Sequence, residues 1–479
     1  MNGFLRCPEK KLSIHEEVLK TKLARALKHL MQSLAKTGKN EQACAIRQRA
    51  RLILILKILE FCEGVHMGFA DYIRREFSFM TGNYRILIIS WIMMDLASEM
   101  PAPNFQYYVQ EVLGGSGLAL GLIGLTNFLA MAAVAFPGGY LADRYGRRWL
   151  ISTMTFGMAT SFLFFAFAPT WHFILLGMAI NSLCLIYQPA LFAMIQDSLP
   201  RERRGMGSSI IQLIHSTFNT PGPMIAGLLL LQFGLEWSMR IIYLIMTGLY
   251  LAAAVWRLRL KETMQNREPI RFRYFFSSYP KAIKESFGMW KTLPRSMFWL
   301  MVSQILIMFG FSLFSVINAI YARDVLGIPK SQWWLVFIPL TITMIVASIP
   351  VGKAIDKIGR KIPLILGLFA FDAGLILFIA GNLLIVTIAM ILFGLGQLLF
   401  MAALTALSAD LVEQEYRGKL NGFINFMSYV AMGLGMLLGN YLYITFIPQL
   451  PFYTAMAITI PTFITTIFLV HEPQKRDRK

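Results

Sequence analysis

Twelve long apolar windows, separated by charged or Pro/Gly-rich breaks, constrain this chain more than any other feature. A helix crossing a bilayer needs about 20 mostly apolar residues, because the hydrocarbon core is roughly 30 Å thick and each residue rises about 1.5 Å. The windows run 84–109, 118–141, 149–168, 171–196, 206–232, 237–259, 296–321, 332–354, 361–380, 382–409, 419–446 and 451–470, and we number them spans one to twelve. Segments such as Trp149–Ala168 and Leu383–Leu407 are apolar on every face, without the period-two alternation of a barrel wall. The expected fold is an all-α polytopic membrane protein of twelve helices. The first residues are polar and basic, so no cleavable signal peptide is expected.

Hydrophobic residues make up 56% of the chain and charged residues 15%, proportions that suit lipid rather than water as the solvent. A net charge of +19 could suit nucleic acid, but its distribution argues against that. Basic residues gather in alternate connections: Arg144, Arg147 and Arg148; Arg201, Arg203 and Arg204; Arg257 to Arg295; Lys357, Arg360 and Lys361; Arg417 and Lys419; then Lys475–Lys479. Arg240 and the Arg323/Asp324/Lys330 stretch are exceptions. Such alternation is the positive-inside pattern, which puts both termini in the cytoplasm of a multi-pass plasma-membrane protein. The partners expected are the lipid bilayer and a small molecule, not nucleic acid. Cys7, Cys44, Cys62 and Cys184 form no CxxC pair, so neither a disulfide nor a metal is expected, and no cofactor is implied.

The stretch from Gly139 through Asp143, Arg144, Gly146, Arg147 and Arg148 closes span two. A matching stretch, Gly352, Asp356, Lys357, Gly359, Arg360 and Lys361, closes span eight. Both read Gly-x3-Asp-basic-x-Gly-Arg-basic, 213 residues apart by 356 − 143. Val112-Leu-Gly114 and Val325-Leu-Gly327, Asp197 and Asp410, and Arg204-Gly205 and Arg417-Gly418 keep that offset. A constant offset implies a duplicated six-span unit. The halves are then 84–259 and 296–470, joined by a basic linker at 260–295 expected along the inner membrane face, with a tail at 471–479. Residues 1–83 lie outside the duplication. Ser13 to Glu16 has capping-box spacing, and Leu19, Leu23, Leu27, Leu30 and Leu34 recur at helical intervals, so a partly amphipathic cytoplasmic extension is expected.

The paired loops at 139–148 and 352–361 resemble the cytoplasmic signature of the major facilitator superfamily, at the ordinal positions that family uses. The resemblance spans about residues 84–470 and implies two six-helix bundles that rock about a central cavity. Asp143 and the nearby arginines, with Asp197 and Asp410, would form a network closing the cytoplasmic side. Thr220-Pro-Gly222-Pro223, followed by Ala226-Gly227, is similar to the Gly-Pro core of the antiporter motif of drug-efflux members. Phe218 and Ser209 stand where that motif's upstream glycines would fall. Close helix packing is the plainer reading of Gly222, Pro223 and Gly227, as of Gly435-x3-Gly439 in span eleven. Proton-coupled exporters of the family often carry an arginine in span four before a glycine. Phe173-Ile-Leu-Leu-Gly177 has none.

Ionisable groups at the bilayer centre are costly, so each is a candidate for function. Asp95 lies eleven residues into span one, roughly 16 Å deep at about 1.5 Å per residue. Glu99, four residues on, shares its helix face, and Pro101 and Pro103 then interrupt the helix. At the offset of 213 these acids become Met308 and Ser312, so the shared scaffold does not require them. His215 in span five and Asp372 in span nine lie at similar depth. In each case a proton-coupling role stands against a buried structural hydrogen bond. The resemblance implies a cavity lined by spans one, four, seven and ten, which places Asn181, Gln188, Asn318 and Gln397 near substrate.

Other functions find little support. His66 and Asp71 have acyltransferase-like spacing without companion blocks, and no phosphate-binding Gly-rich loop appears. An enzyme is not expected. The sequence points to a monomeric secondary transporter working by alternating access, with proton-coupled export of amphipathic compounds first and metabolite uptake second. A transporter-like sensor is the rival from another class.

Overall fold

A computed structural model describes residues 80–135, 146–200, 221–263, 293–412 and 414–472, with scattered positions between 138 and 218; for 356 and 414–419 it describes the backbone alone. The amphipathic pattern at 13–34, most of the basic linker and the tail beyond 472 lie outside the described residues. Among those described, the chain is helical without a strand.

Ten of its helices are long and apolar enough to cross a membrane. The expected span one is Gly82–Ser98, only 17 residues, because the chain turns irregular at Glu99 before Pro101 and Pro103. It resumes as Phe105–Tyr107 and a π-helical turn, Tyr108–Val112. Pro221–Arg257 holds two helices, the end of span five and most of span six, separated at Gly234, where φ is +72° and ψ 176°. Span four is kinked: Trp171–Cys184 and Gln188–Asp197 are joined by a 3-10 turn at Leu185–Tyr187, just before Pro189, which has no N–H to donate. Span seven also breaks, Arg295–Ser315 giving way to Asn318–Asp324.

The duplication persists in the backbone. Gly114 and Gly327 share φ +67°, while Gly146 and Gly359 sit at φ +103° and +93°. The latter pair open the reversals into Arg147–Ala166 and Lys361–Ala380, a region of φ that side chains with a Cβ rarely adopt.

Each half has its own hydrophobic core, and the two share members near one end of the bundle. Ile320 of the second half belongs to the first core, and Tyr107 of the first half to the second. Gly121 and Gly124 of span two pack on Met436 and Leu437 of span eleven, Phe128 stacks on Tyr429 with centroids 6.2 Å apart, and Gly227 faces Trp334. Gly435 and Gly439 leave no room for a Cβ against Phe309, Ser312 and Leu313 of span seven.

The basic residues that break the charge alternation find partners away from the duplicated loops. Arg240 donates to the carbonyls of Ala166 at 2.9 Å and Ala168 at 3.4 Å, capping the end of Arg147–Ala166. Arg323 and Lys330 reach Glu111 of the opposite half.

Candidate functional site

The irregular backbone after Ser98 fixes the centre of the site. Met100 N–H turns back to Ala97 O at 3.2 Å and Ala102 N–H to Glu99 O at 3.3 Å, so the helix closes where the two acids lie. Span five comes against this turn at Gly222: a Cβ there would stand 3.0 Å from Met100 N and 3.1 Å from Glu99 C. The Gly-Pro segment is thus a close-approach surface. It lets the helix carrying His215 reach span one.

His215 Nδ1 lies 3.4 Å from Asp95 Oδ1. Asp95 is 5% exposed, and its Oδ2 is buried with no hydrogen-bond partner among the described residues. An unpaired buried acceptor costs about 1–3 kcal/mol, so a structural role alone accounts poorly for it. Glu99, in contrast, is exposed. Asp95, Glu99 and His215 act on one another electrostatically. Two acids and an imidazole, one acid dry and one wet, can hold a proton or a cation and pass it between them.

The other candidates separate from this cluster. Asp372 Oδ2 accepts from Thr459 Oγ1 of span twelve at 2.6 Å, a contact within the second half. Asn181 donates to Ser161 of span three at 3.0 Å, and Asn318 Oδ1 accepts from the next backbone N–H at 2.6 Å. Gln188 is half-buried and Gln397 exposed. Among the described residues no hydrogen bond or ion pair joins these five to the acidic pair.

The duplicated loops form one arrangement twice over. Arg147 pairs with Asp197, and Arg360 Nε lies 3.2 Å from Asp410 Oδ2, each pair within its own half. Carboxylates that the sequence reading passed over cap both helices. Glu262 accepts from the N–H groups of Arg147 at 3.2 Å and Arg148 at 3.1 Å. Glu472 accepts from those of Arg360 and Lys361, both at 2.6 Å. Lys357 is exposed, and no described atom lies within 4 Å of a Cβ built on Gly352. Gly139, Asp143, Arg144 and Arg204 lie outside the described residues, as do the side chains of Asp356 and Arg417.

Arg257 is a correction. Counted by sequence among the surface charges of the linker, it is buried, with its side chain turned into the first half. Its Nε donates to Ser90 at 2.9 Å and its Nη1 to Thr155 at 2.8 Å. Nothing in the local sequence separates it from its basic neighbours; only the serine and threonine on two distant spans do.

Two duplicated helical halves, apolar outside and holding ionisable groups within, define a membrane transporter. A family model for the Major Facilitator Superfamily matches residues 87–340 and 300–479, and the chain belongs to that superfamily. It is 25% identical to the multidrug resistance protein MdtH of Photorhabdus laumondii over 389 residues, 78% of this chain and 90% of that one. It is 26% identical to the quinolone resistance protein NorA of Staphylococcus aureus over 184 residues, 38% of this chain and 47% of that one. The nucleoside transporter NupG superposes with a TM-score of 0.66 at 13% identity, covering 81% of this chain and all of NupG. A bacterial homologue of the lysosomal transporter Spinster, solved facing inward and unoccupied, superposes at 0.59 with 15% identity, covering 81% and 93%. At such identities the solved structures speak to fold alone.

Proposed function

We propose that this transporter exports amphipathic compounds in exchange for protons across the plasma membrane, as a monomer with both termini in the cytoplasm. The observation that carries the reading is the buried Asp95, with one oxygen facing His215 and the other unpaired. A proton held there neutralises the dry carboxylate, and its release through Glu99 leaves an anionic site for a cation. The names of MdtH and NorA, resistance proteins against drugs and quinolones, favour export over uptake. The positive-inside pattern makes the end bearing the duplicated loops the cytoplasmic one. The cross-half ion pairs of Glu111 then lie on the outer side, which suits an inward-facing state in alternating access.

The test is ethidium flux in proteoliposomes under an imposed pH gradient. Wild type should drive it and Asp95→Asn should not. Gradient-driven flux that survives in Asp95→Asn sinks the coupling role. A wild type that binds the dye without moving it favours a sensor, and one that moves neither dye nor proton removes the export reading.

A further inference from the structure

Ser90 in span one and Ser303 in span seven are repeat equivalents, 213 residues apart, and each bonds to the last span of its own half. Ser303 Oγ meets Thr465 Oγ1 at 2.8 Å, and Thr466 Oγ1 donates to it at 3.4 Å. Ser90 Oγ instead accepts from Arg257 at 2.9 Å. Neutral hydroxyls therefore suffice to join those helices. The first half puts a guanidinium in the same place, 1% exposed, held by Thr155 and with its carbon 5.4 Å from the centre of the Tyr187 ring. At the offset of 213, Arg257 becomes Val470, which is apolar and buried. No carboxylate pairs with Arg257 among the described residues. A buried cation left without a carboxylate is expensive, and the second half shows that packing does not demand it.

Ser90 connects this cation to the site. It precedes Asp95 by five residues in Gly82–Ser98, about 7.5 Å along the helix at about 1.5 Å per residue, so the guanidinium that donates to it at 2.9 Å lies on the order of 10 Å from Asp95. Charges separated by protein rather than water are weakly screened. The charged set is confined to one half: Asp95, Glu99 and His215 become Met308, Ser312 and Ser428 in the other. In formal charges, two carboxylates against one guanidinium leave one negative charge, which one proton on an acid or on His215 cancels.

We propose that Arg257 fixes the charge of the substrate: by offsetting one of the two carboxylates, it makes the site take a single positive charge at a time, one proton or one monocationic amphipath. The proposal rests on the export reading above. Arg257 touches neither acid, so it is a positioning residue that acts through its field.

Ethidium and propidium share a ring system and carry one and two positive charges. In proteoliposomes the wild type should prefer ethidium. Arg257→Gln retains a planar donor to Ser90 and Thr155 but loses the charge. Its propidium-to-ethidium ratio of kcat/KM should rise on the order of tenfold, the effect of one unit charge at about 10 Å and an effective dielectric of about 20. Arg257→Lys should keep the wild-type ratio. A purely structural role lowers both rates and the unfolding temperature together with the ratio unmoved, which overturns the proposal. If Arg257→Gln does not fold, Thr155→Asp sets a carboxylate against the guanidinium and should raise the ratio in the same way; an unmoved ratio again overturns it. Gradient-driven ethidium flux surviving in Asp95→Asn removes the export reading and this one together. An inactive Asp95→Asn beside an Arg257→Gln of unchanged ratio removes only the role of Arg257.

Discussion

Glu111 Oε1 and Arg323 Nη1 meet at 2.6 Å across the boundary between the two halves. At the offset of 213, Glu111 becomes Asp324, which Arg323 also holds at 2.6 Å through Nε. One guanidinium thus bridges two repeat-equivalent carboxylates, while Lys330 takes the other oxygen of Glu111. Tyr107 lies under the same guanidinium at 5.2 Å and donates its hydroxyl to Ala319 O at 2.6 Å. Two of the basic residues that break the charge alternation, Arg323 and Lys330, are a clasp between halves.

Loosening that clasp should shift the conformational balance. The groups are partly exposed, so each ion pair contributes only about 0.2–1 kcal/mol, and removing both contacts of Glu111 shifts populations by about twofold to thirtyfold. Spin labels at Leu118→Cys and Leu335→Cys, both exposed at this end, should report longer separations in Glu111→Gln than in wild type. An unchanged distance distribution would show that the apolar contacts alone keep this end shut.

Gly222→Val should disable transport without preventing insertion. Even one Cβ there meets the Glu99–Met100 backbone at 3.0–3.1 Å, and backbone cannot step aside as a side chain can. Overpacking of this kind costs about 1–3 kcal/mol. The displaced span five should carry His215 away from Asp95. Gradient-driven flux should be lost while the protein stays monodisperse in detergent; flux equal to wild type would refute the close-approach role.

The twin caps invite an additivity test. Glu262 and Glu472 each place a carboxylate on backbone N–H groups at the start of a helix, where the dipole favours negative charge. Replacing either by alanine should cost about 0.5–2 kcal/mol. The sites lie in different halves and share no partner, so the double variant should lose the sum. Thermal unfolding of the four proteins checks this, and a double variant no worse than either single one would mean that the two halves do not unfold as independent contributors.

The apolar windows made most of the architecture legible, because lipid forces every span to be helical and long. The offset of 213 exposed the duplication, and Asp95 and Glu99 stood out as charges without repeat partners. The break at Gly234 falls between the windows of spans five and six. Two things stayed hidden for physical reasons. Arg257 reads as one more inside-positive residue because burial depends on Ser90 and Thr155, which are 167 and 102 residues away. Glu262 and Glu472 sit beyond the apolar windows, where a carboxylate usually looks like surface charge, and 210 rather than 213 separates them.

Asp372 provides the sharpest contrast with Asp95. Both are acids deep in apolar spans with one buried oxygen that has no hydrogen-bond partner among the described residues, but the second oxygen of Asp372 accepts from the neutral hydroxyl of Thr459 at 2.6 Å, where that of Asp95 faces the imidazole of His215 at 3.4 Å. Asparagine keeps an oxygen that can accept the same hydroxyl. Asp372→Asn should therefore fold and drive ethidium under a pH gradient at close to the wild-type rate, whereas Asp372→Leu leaves the threonine hydroxyl only its bond to Met456 O at 2.7 Å and should lower stability by about 0.5–1.5 kcal/mol, the worth of one hydrogen bond. Loss of gradient-driven flux in a well-folded Asp372→Asn would instead place a second coupling carboxylate in the second half, and the confinement of the charge-handling groups to the first half would fail with it.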